Sequence, residues 1–226
     1  MSAGEHYRGA ASLEQIVIVW NCLRVPFYDR ATQPRSALAA DLREFVASGP
    51  PPLVFTLGSF AVEFPGDFYR ISLQVARQLQ MRAVLLVGSQ TERYVTDRSA
   101  DIFVGDYAPF SDLFPHARAI IHHGGIGSIG QALRAGKPQL VVPILGDQFD
   151  NAARLVRLGV ARSVGLKQYA HRRVAARLLA LISDSRYASR AAELRVAVSR
   201  EDGGEVVGSV VDTFLIDDKM RQQAAQ

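Results

Sequence analysis

Between His122 and Asn151 the chain reads HHGGIGSIGQALRAGKPQLVVPILGDQFDN, a histidine pair, closely spaced glycines, a serine and an Asp-Gln pair around one strand, turn, helix and strand signal. The chemistry on offer is anion recognition. A glycine-rich turn feeding a helix N-terminus presents unpaired backbone N–H groups and the positive end of the helix dipole, which suits a phosphate. His123 adds a ring donor just past the strand Ala119–Ile121, and Gly125 and Gly127 let the backbone approach a ligand or take positive φ. Ser128 sits where a hydroxyl can cap the helix or donate to a phosphate. Asp147 and Gln148 bring acceptors and an amide to the end of the next strand, a mixture suited to sugar hydroxyls, or alternatively an N-cap for the following helix. Strand alternation turns His122 away from His123, into a structural or supporting place.

Gly125-Ile-Gly127-Ser-Ile-Gly130 also matches the dinucleotide pattern G-x-G-x-x-G, with Asp147 and Asp150 near the expected spacing of about 20 residues. Three features count against an NAD site. The match lies mid-chain, after at least two strand–helix units, whereas the fingerprint normally opens its fold. A histidine pair precedes it. The second strand ends in Pro143 and a Gly146-Asp-Gln turn rather than in a single ribose-binding acid.

These residues need a scaffold, and the apolar runs supply one. Leu53–Leu57, Arg82–Val87, Asp101–Val104, Ala119–Ile121, Gln139–Pro143 and Ala161–Val164 read as short buried strands, and Ile16–Val19 as a strand candidate before them. Helices are expected from Pro65, over Arg35–Ala47, Ile129–Ala135 (stopped by Gly136 and Pro138), Asn151–Leu158, Ala170–Ile182, Tyr187–Arg200 and Glu205–Ile216, with a helical turn at Phe110–Phe114. Alternation of this kind predicts an α/β fold: a Rossmann-like, mostly parallel sheet with helices on both faces. Ligands of such sheets bind at the carboxyl ends of the strands. Ser59, Gly88, His123 and Asp147 all fall just past predicted strand ends.

Composition narrows the function. With 48% hydrophobic and 21% charged residues the 226-residue chain is globular. The net charge of +4 comes from arginines scattered among acids, with no basic block or aromatic-interleaved stripe for nucleic acid. One cysteine, Cys22 in an apolar run, excludes an intramolecular disulfide and suits a reducing compartment. The first twelve residues lack the apolar core of a secretion signal, and no run reaches the roughly 18 apolar residues of a membrane helix. A cytoplasmic location is expected. There is no P-loop, G-x-S-x-G elbow, C-x-x-C or Asp-x-Asp pair, so phosphate charge must be met by backbone, His123 and Ser128 rather than by a carboxylate-held metal.

The stretch His123-Gly-Gly125-Ile-Gly127-Ser128, with Asp147 and Gln148 24 and 25 residues beyond His123 and Asn151 close behind, resembles the nucleotide-sugar signature of GT-B fold glycosyltransferases. The relatives in question act on natural products, sterols and plant metabolites. Gly127 stands where plant members carry Asn, and Gln131 where they carry Glu. Phe55-Thr-Leu-Gly-Ser59 resembles the first Gly-Ser turn of the donor domain, and Tyr107-Ala-Pro-Phe110 a variant of the Trp-Ala-Pro-Gln element that holds the base. The resemblance implies diphosphate contacts from Ser59, His123, Gly125, Gly127 and Ser128, sugar contacts from Asp147 and Gln148, and nucleoside contacts from Tyr107 and Gln131.

The family pattern further implies that residues 1–52 hold the end of an acceptor domain and a linker (Val25-Pro-Phe-Tyr-Asp29, Gly49-Pro-Pro-Pro52), 53–200 the C-terminal, donor-binding domain, and 201–226 a closing helix and tail. The implied reaction is inverting, metal-independent transfer of a sugar from a nucleoside diphosphate to a hydroxyl of a small acceptor, with no cofactor. The general base is then expected from an acceptor domain, in the same polypeptide or in a partner chain. A donor-binding subunit of a two-chain transferase, a sugar-nucleotide epimerase and an NAD-binding protein are the alternatives.

Overall fold

The computed structural model describes residues 38–199. The expected strand at Ile16–Val19, Cys22, the Pro-Phe-Tyr segment and the helix Glu205–Ile216 lie outside the described residues.

Six short strands carry the core: β1 (Leu53–Thr56), β2 (Ala83–Leu86), β3 (Ile102–Gly105), β4 (Ala119–His122), β5 (Gln139–Val141) and β6 (Ala161–Ser163). The central strands LVFT, AVLL and AIIH, and QLV beside them, are buried at every position, while β3 and β6 at the sheet's edges are partly exposed. Continuous apolar runs of this kind are what strands covered on both faces require. All pairings are parallel and the order is β3-β2-β1-β4-β5-β6. Leu53 pairs with Ala83 on one side and with Ala119 on the other, so β1 is central and the chain reverses its direction of travel between β1 and β4. Loops leaving the carboxyl ends of these two strands diverge to opposite faces and open a crevice there.

Helices cover both faces. In chain order they are α1 (Ala40–Ala47), α2 (Gly58–Ala61), α3 (Phe68–Gln78), α4 (Thr91–Tyr94), α5 (Phe110–Leu113), α6 (Ile126–Ala135), α7 (Gln148–Arg157), α8 (His171–Ser183) and α9 (Ser185–Ser199). Leu53, Phe55, Leu85 and Ile121 face a cluster with Phe68 and Tyr69 of α3 and Val174 and Leu178 of α8. Val54, Val84 and Ile120 face the opposite cluster, with Leu42 and Val46 of α1, Leu113 of α5 and Ala132 of α6.

Several expected boundaries shift for local reasons. The third helix starts at Phe68 rather than Pro65, because Gly66 takes φ +52 and Asp67 becomes the N-cap residue. The helix expected from Asn151 starts at Gln148, straight out of the turn at Gly146 (φ +60). The helix after the glycine-rich turn ends where expected, with Gly136 left-handed at φ +67 and its N–H and that of Lys137 closing on Leu133 and Ala132 carbonyls. Helix α1 is shorter than expected and packs on the core, and Arg82 pins its end by donating to the Phe45 and Pro50 carbonyls.

Candidate functional site: the crevice between β1 and β4

His123 is the centre of the crevice. It leaves β4 one residue past the strand, and its ring lies between two glycines from different segments. A Cβ on Gly58, at the end of β1, would stand 2.6 Å from the His123 Cε1, and a Cβ on Gly125 would stand 2.4 Å from Nε2. Both positions therefore require glycine while the ring is there. Gly58 also has φ +70. Neither ring nitrogen has a partner among the described residues, and Nδ1 is shielded from solvent. Burial pushes the His123 pKa down, partly offset by the Asp147 carboxylate. Burial thus favours the neutral ring, which carries one N–H to donate.

The turn after His123 aims backbone donors at the same place. Gly124 is left-handed at φ +92, and a Cβ there would press within 2.8 Å of Val141 Cγ1. Gly125, with extended φ −66 and ψ 142, is the N-cap residue of α6, and the first carbonyl bond of that helix runs from Ile129 N–H to Gly125. The N–H groups of Ile126, Gly127 and Ser128 precede it and have no acceptor among the described residues. Three open donors at the positive end of a ten-residue helix make an anion seat. Two expectations are corrected here. Positive φ falls on Gly124 rather than on Gly125 or Gly127, and Ser128 is the third helical residue, buried, not the cap. Gly127 is exposed with open space where a Cβ would project.

The β5–α7 turn is stapled to this one. Asn151 Nδ2 donates to the Gly124 carbonyl at 3.1 Å and to Asp147 Oδ2 at 2.9 Å. Gln148 is buried, and its Oε1 accepts the Ile144 and Leu145 N–H groups at 2.9 and 3.2 Å. That bond ties up its carbonyl and leaves only Nε2 for a ligand. Asp147 remains exposed, and neither it nor Asp150 caps α7 through its side chain; Asp150 pairs with Arg154 at 2.6 Å instead. Beneath the turn, fully buried His122 accepts the Gly124 N–H at Nδ1 (3.1 Å) and donates from Nε2 to Gln139 Oε1 (2.9 Å). Burial, and then the neighbouring His123, pull its pKa down to about 3, so it is neutral. Sequence reasoning gave His122 no bonded role. The signal available was a polar Gln139 opening an otherwise apolar strand.

The remaining candidates are more widely spread. Ser59 is the second residue of α2, beside Gly58 and next to the end of β4. Gln131 is half-buried one turn along α6 from Ser128. Tyr107 is 68% exposed on the loop after β3, three strands from β4 in the sheet order, or about 14 Å at the usual strand spacing. Exposed Phe64 and Leu145 on loops, Phe149 in the first turn of α7 and Leu166 in a short 3-10 turn after β6 stand at this same end of the sheet, an apolar rim around the crevice. Among the described residues no cluster of His, Cys, Asp and Glu is placed to hold a metal, and no helix is long and apolar enough to cross a membrane.

With this geometry in hand, likeness to known proteins is specific. Over 175 residues the chain is 34% identical to O-mycaminosyltylonolide 6-deoxyallosyltransferase of Streptomyces fradiae, covering 76% of this chain and 40% of that enzyme. The crystal structure of the glycotransferase of kitacinnamycin superposes with a TM-score of 0.66 at 25% identity, over 74% of this chain and 43% of that one. The glycosyltransferase VinC in complex with dTDP superposes with a TM-score of 0.64 at 24% identity, over 75% and 43%. The chain therefore spans less than half the length of these proteins. Residues 71–213 match the family described as Erythromycin biosynthesis protein CIII-like, C-terminal domain, and with the fold shared by GT-B glycosyltransferases the chain belongs to that family.

Proposed function

We propose that the crevice binds a nucleoside-diphosphate sugar and that the chain is the donor side of an inverting, metal-independent glycosyltransferase. The observation that carries this reading is the His123 ring, wedged between Gly58 and Gly125, unpaired, at the switch point of the sheet and beside three open N–H groups. In the proposed reaction an acceptor hydroxyl attacks the anomeric carbon, the bond from that carbon to the diphosphate oxygen breaks, and the hydroxyl proton passes to a general base. His123, Ser128, Ser59 and the N–H groups around Gly125 and Gly127 stabilise the charge that grows on the leaving diphosphate. Asp147 and the free amide of Gln148 hold the sugar, while Tyr107 offers its ring face to the base and Gln131 reaches the ribose. Small hydroxylated acceptors are the class suggested by the relatives.

The general base is assigned to an acceptor half, carried on the same polypeptide or on a cytoplasmic partner chain, and the apolar rim of Phe64, Leu145, Phe149 and Leu166 suits cover by such a half. The test incubates the purified chain with donor sugars and hydroxylated acceptors in the presence of EDTA, with and without a separately expressed acceptor half. Donor binding without transfer by the chain alone, and EDTA-resistant transfer on mixing, are expected. Robust transfer by the chain alone would place the base in this chain, and loss of transfer with EDTA would refute metal independence.

A further inference from the structure

We propose that His122 is a positioning residue for the diphosphate: its Nδ1 holds the Gly124 N–H and so fixes the left-handed turn that sets the His123 ring and the open N–H groups of α6. The inference rests on the donor-site reading above and assigns a task to a buried group which that reading leaves unused. Gly124 and Gly125 are adjacent, so the turn has wide backbone freedom, and something must select one conformation from many. Two side-chain bonds do so. Asn151 takes the Gly124 carbonyl from the α7 side, and His122 takes the Gly124 N–H from beneath.

The acceptor at Nδ1 exists only if the ring proton is on Nε2, and Gln139 Oε1 stands 2.9 Å from that atom to receive it. Gln139 is itself fully buried, and among the described residues its Oε1 meets only the His122 ring. The chain of contacts then runs Gln139, His122, Gly124, His123. Without an acceptor beneath it the Gly124 N–H would be buried and unpaired, and the tandem glycines would turn to find another partner. His123 adjoins this turn and its ring lies against Gly58 and Gly125, so a change at Gly124 and Gly125 shifts the ring with it.

Two substitutions separate positioning from packing. In His122→Asn the side-chain amide lies at the place of Nδ1 and can still accept from Gly124. In His122→Gln it lies at the place of Nε2 and can meet Gln139 but not Gly124. Both remove the ring and leave a cavity, so urea denaturation should show similar losses of stability. Calorimetry with dTDP and UDP should then find His122→Asn within about threefold of the native chain and His122→Gln weaker by about tenfold or more, the worth of one charge-assisted bond displaced. Equal affinity in the two variants overturns the proposal. Failure of the native chain to bind any diphosphate refutes the donor-site reading instead. Long-range 15N NMR of the native chain reads the same contact without a variant: a neutral His122 protonated on Nε2 is expected, and protonation on Nδ1 overturns the inference.

Discussion

Gly125→Ala isolates the His123 contact more cleanly than replacement of the histidine itself. Gly125 has φ −66, a value alanine adopts freely, so the substitution carries no backbone strain and even restricts the unfolded chain slightly. Its whole effect comes from the new methyl group, 2.4 Å from His123 Nε2 and 2.8 Å from Cε1, where an ordinary contact is a full ångström longer. The ring cannot retreat toward Gly58, because its Cε1 edge already lies against that residue, so it must swing out of its place. Overpacking of this kind costs about 1–3 kcal/mol of stability. Displacing the ring also removes a charge-assisted bond to the diphosphate, about 1.5–3 kcal/mol, or roughly 10- to 150-fold in affinity. The double variant Gly125→Ala with His123→Ala has no ring to strike. It should match His123→Ala alone in both stability and affinity, giving a coupling of about 1–3 kcal/mol between the two sites. Urea denaturation supplies the stabilities and calorimetry with dTDP or UDP the affinities. Full additivity, or unchanged affinity in Gly125→Ala, would refute the placement of the ring.

Other expectations follow from single contacts. Asp147→Ala should leave free diphosphate binding unchanged and weaken only the sugar-bearing form, by about 1.5 kcal/mol or more for a bond to a carboxylate, because Asn151 keeps its hold on the Gly124 carbonyl; equal losses for both ligands in calorimetry would remove Asp147 from the sugar subsite. Stability should fall as the solution is acidified. The folded His122 pKa of about 3 lies below the unfolded value near 6.5, so the unfolded chain binds more protons between the two, and the contribution is whole above pH 6.5 and lost on going down toward pH 3. From pH 6.5 to 5.5 the loss is about 1 kcal/mol for this residue, and His123, shifted in the same direction by burial, adds to it. His122→Asn should flatten the dependence in urea titrations at the two pH values; an unchanged slope would contradict a neutral buried His122.

What the sequence made legible, and what it hid, divides along local and non-local physics. The central strands were readable because parallel strands buried on both faces are nearly continuous apolar runs, and LVFT, AVLL and AIIH leave little else to be. The C-cap at Gly136 was readable because only glycine enters the left-handed region cheaply. The role of Gly58 was not, since its need to be glycine comes from a ring 65 residues away and appears only once β1 and β4 are neighbours. Helix α1 was set among linker residues because Gly49-Pro-Pro-Pro52 follows it, although Leu42 and Val46 at i and i+4 marked a buried stripe. Ser128 stood where a cap belongs by residue type. The structure gives that place to Gly125, whose missing side chain leaves the helix N-terminus open to a ligand.

The most direct measurement of the central claim is a calorimetric titration of the purified chain with dTDP, UDP, their sugar conjugates and NAD, repeated with His123→Ala. Tighter binding of the diphosphates and sugar nucleotides than of NAD, weakened by about 1.5–3 kcal/mol when His123 is removed, is the predicted result. NAD bound as tightly as the sugar nucleotides, or diphosphate binding indifferent to His123, would contradict it.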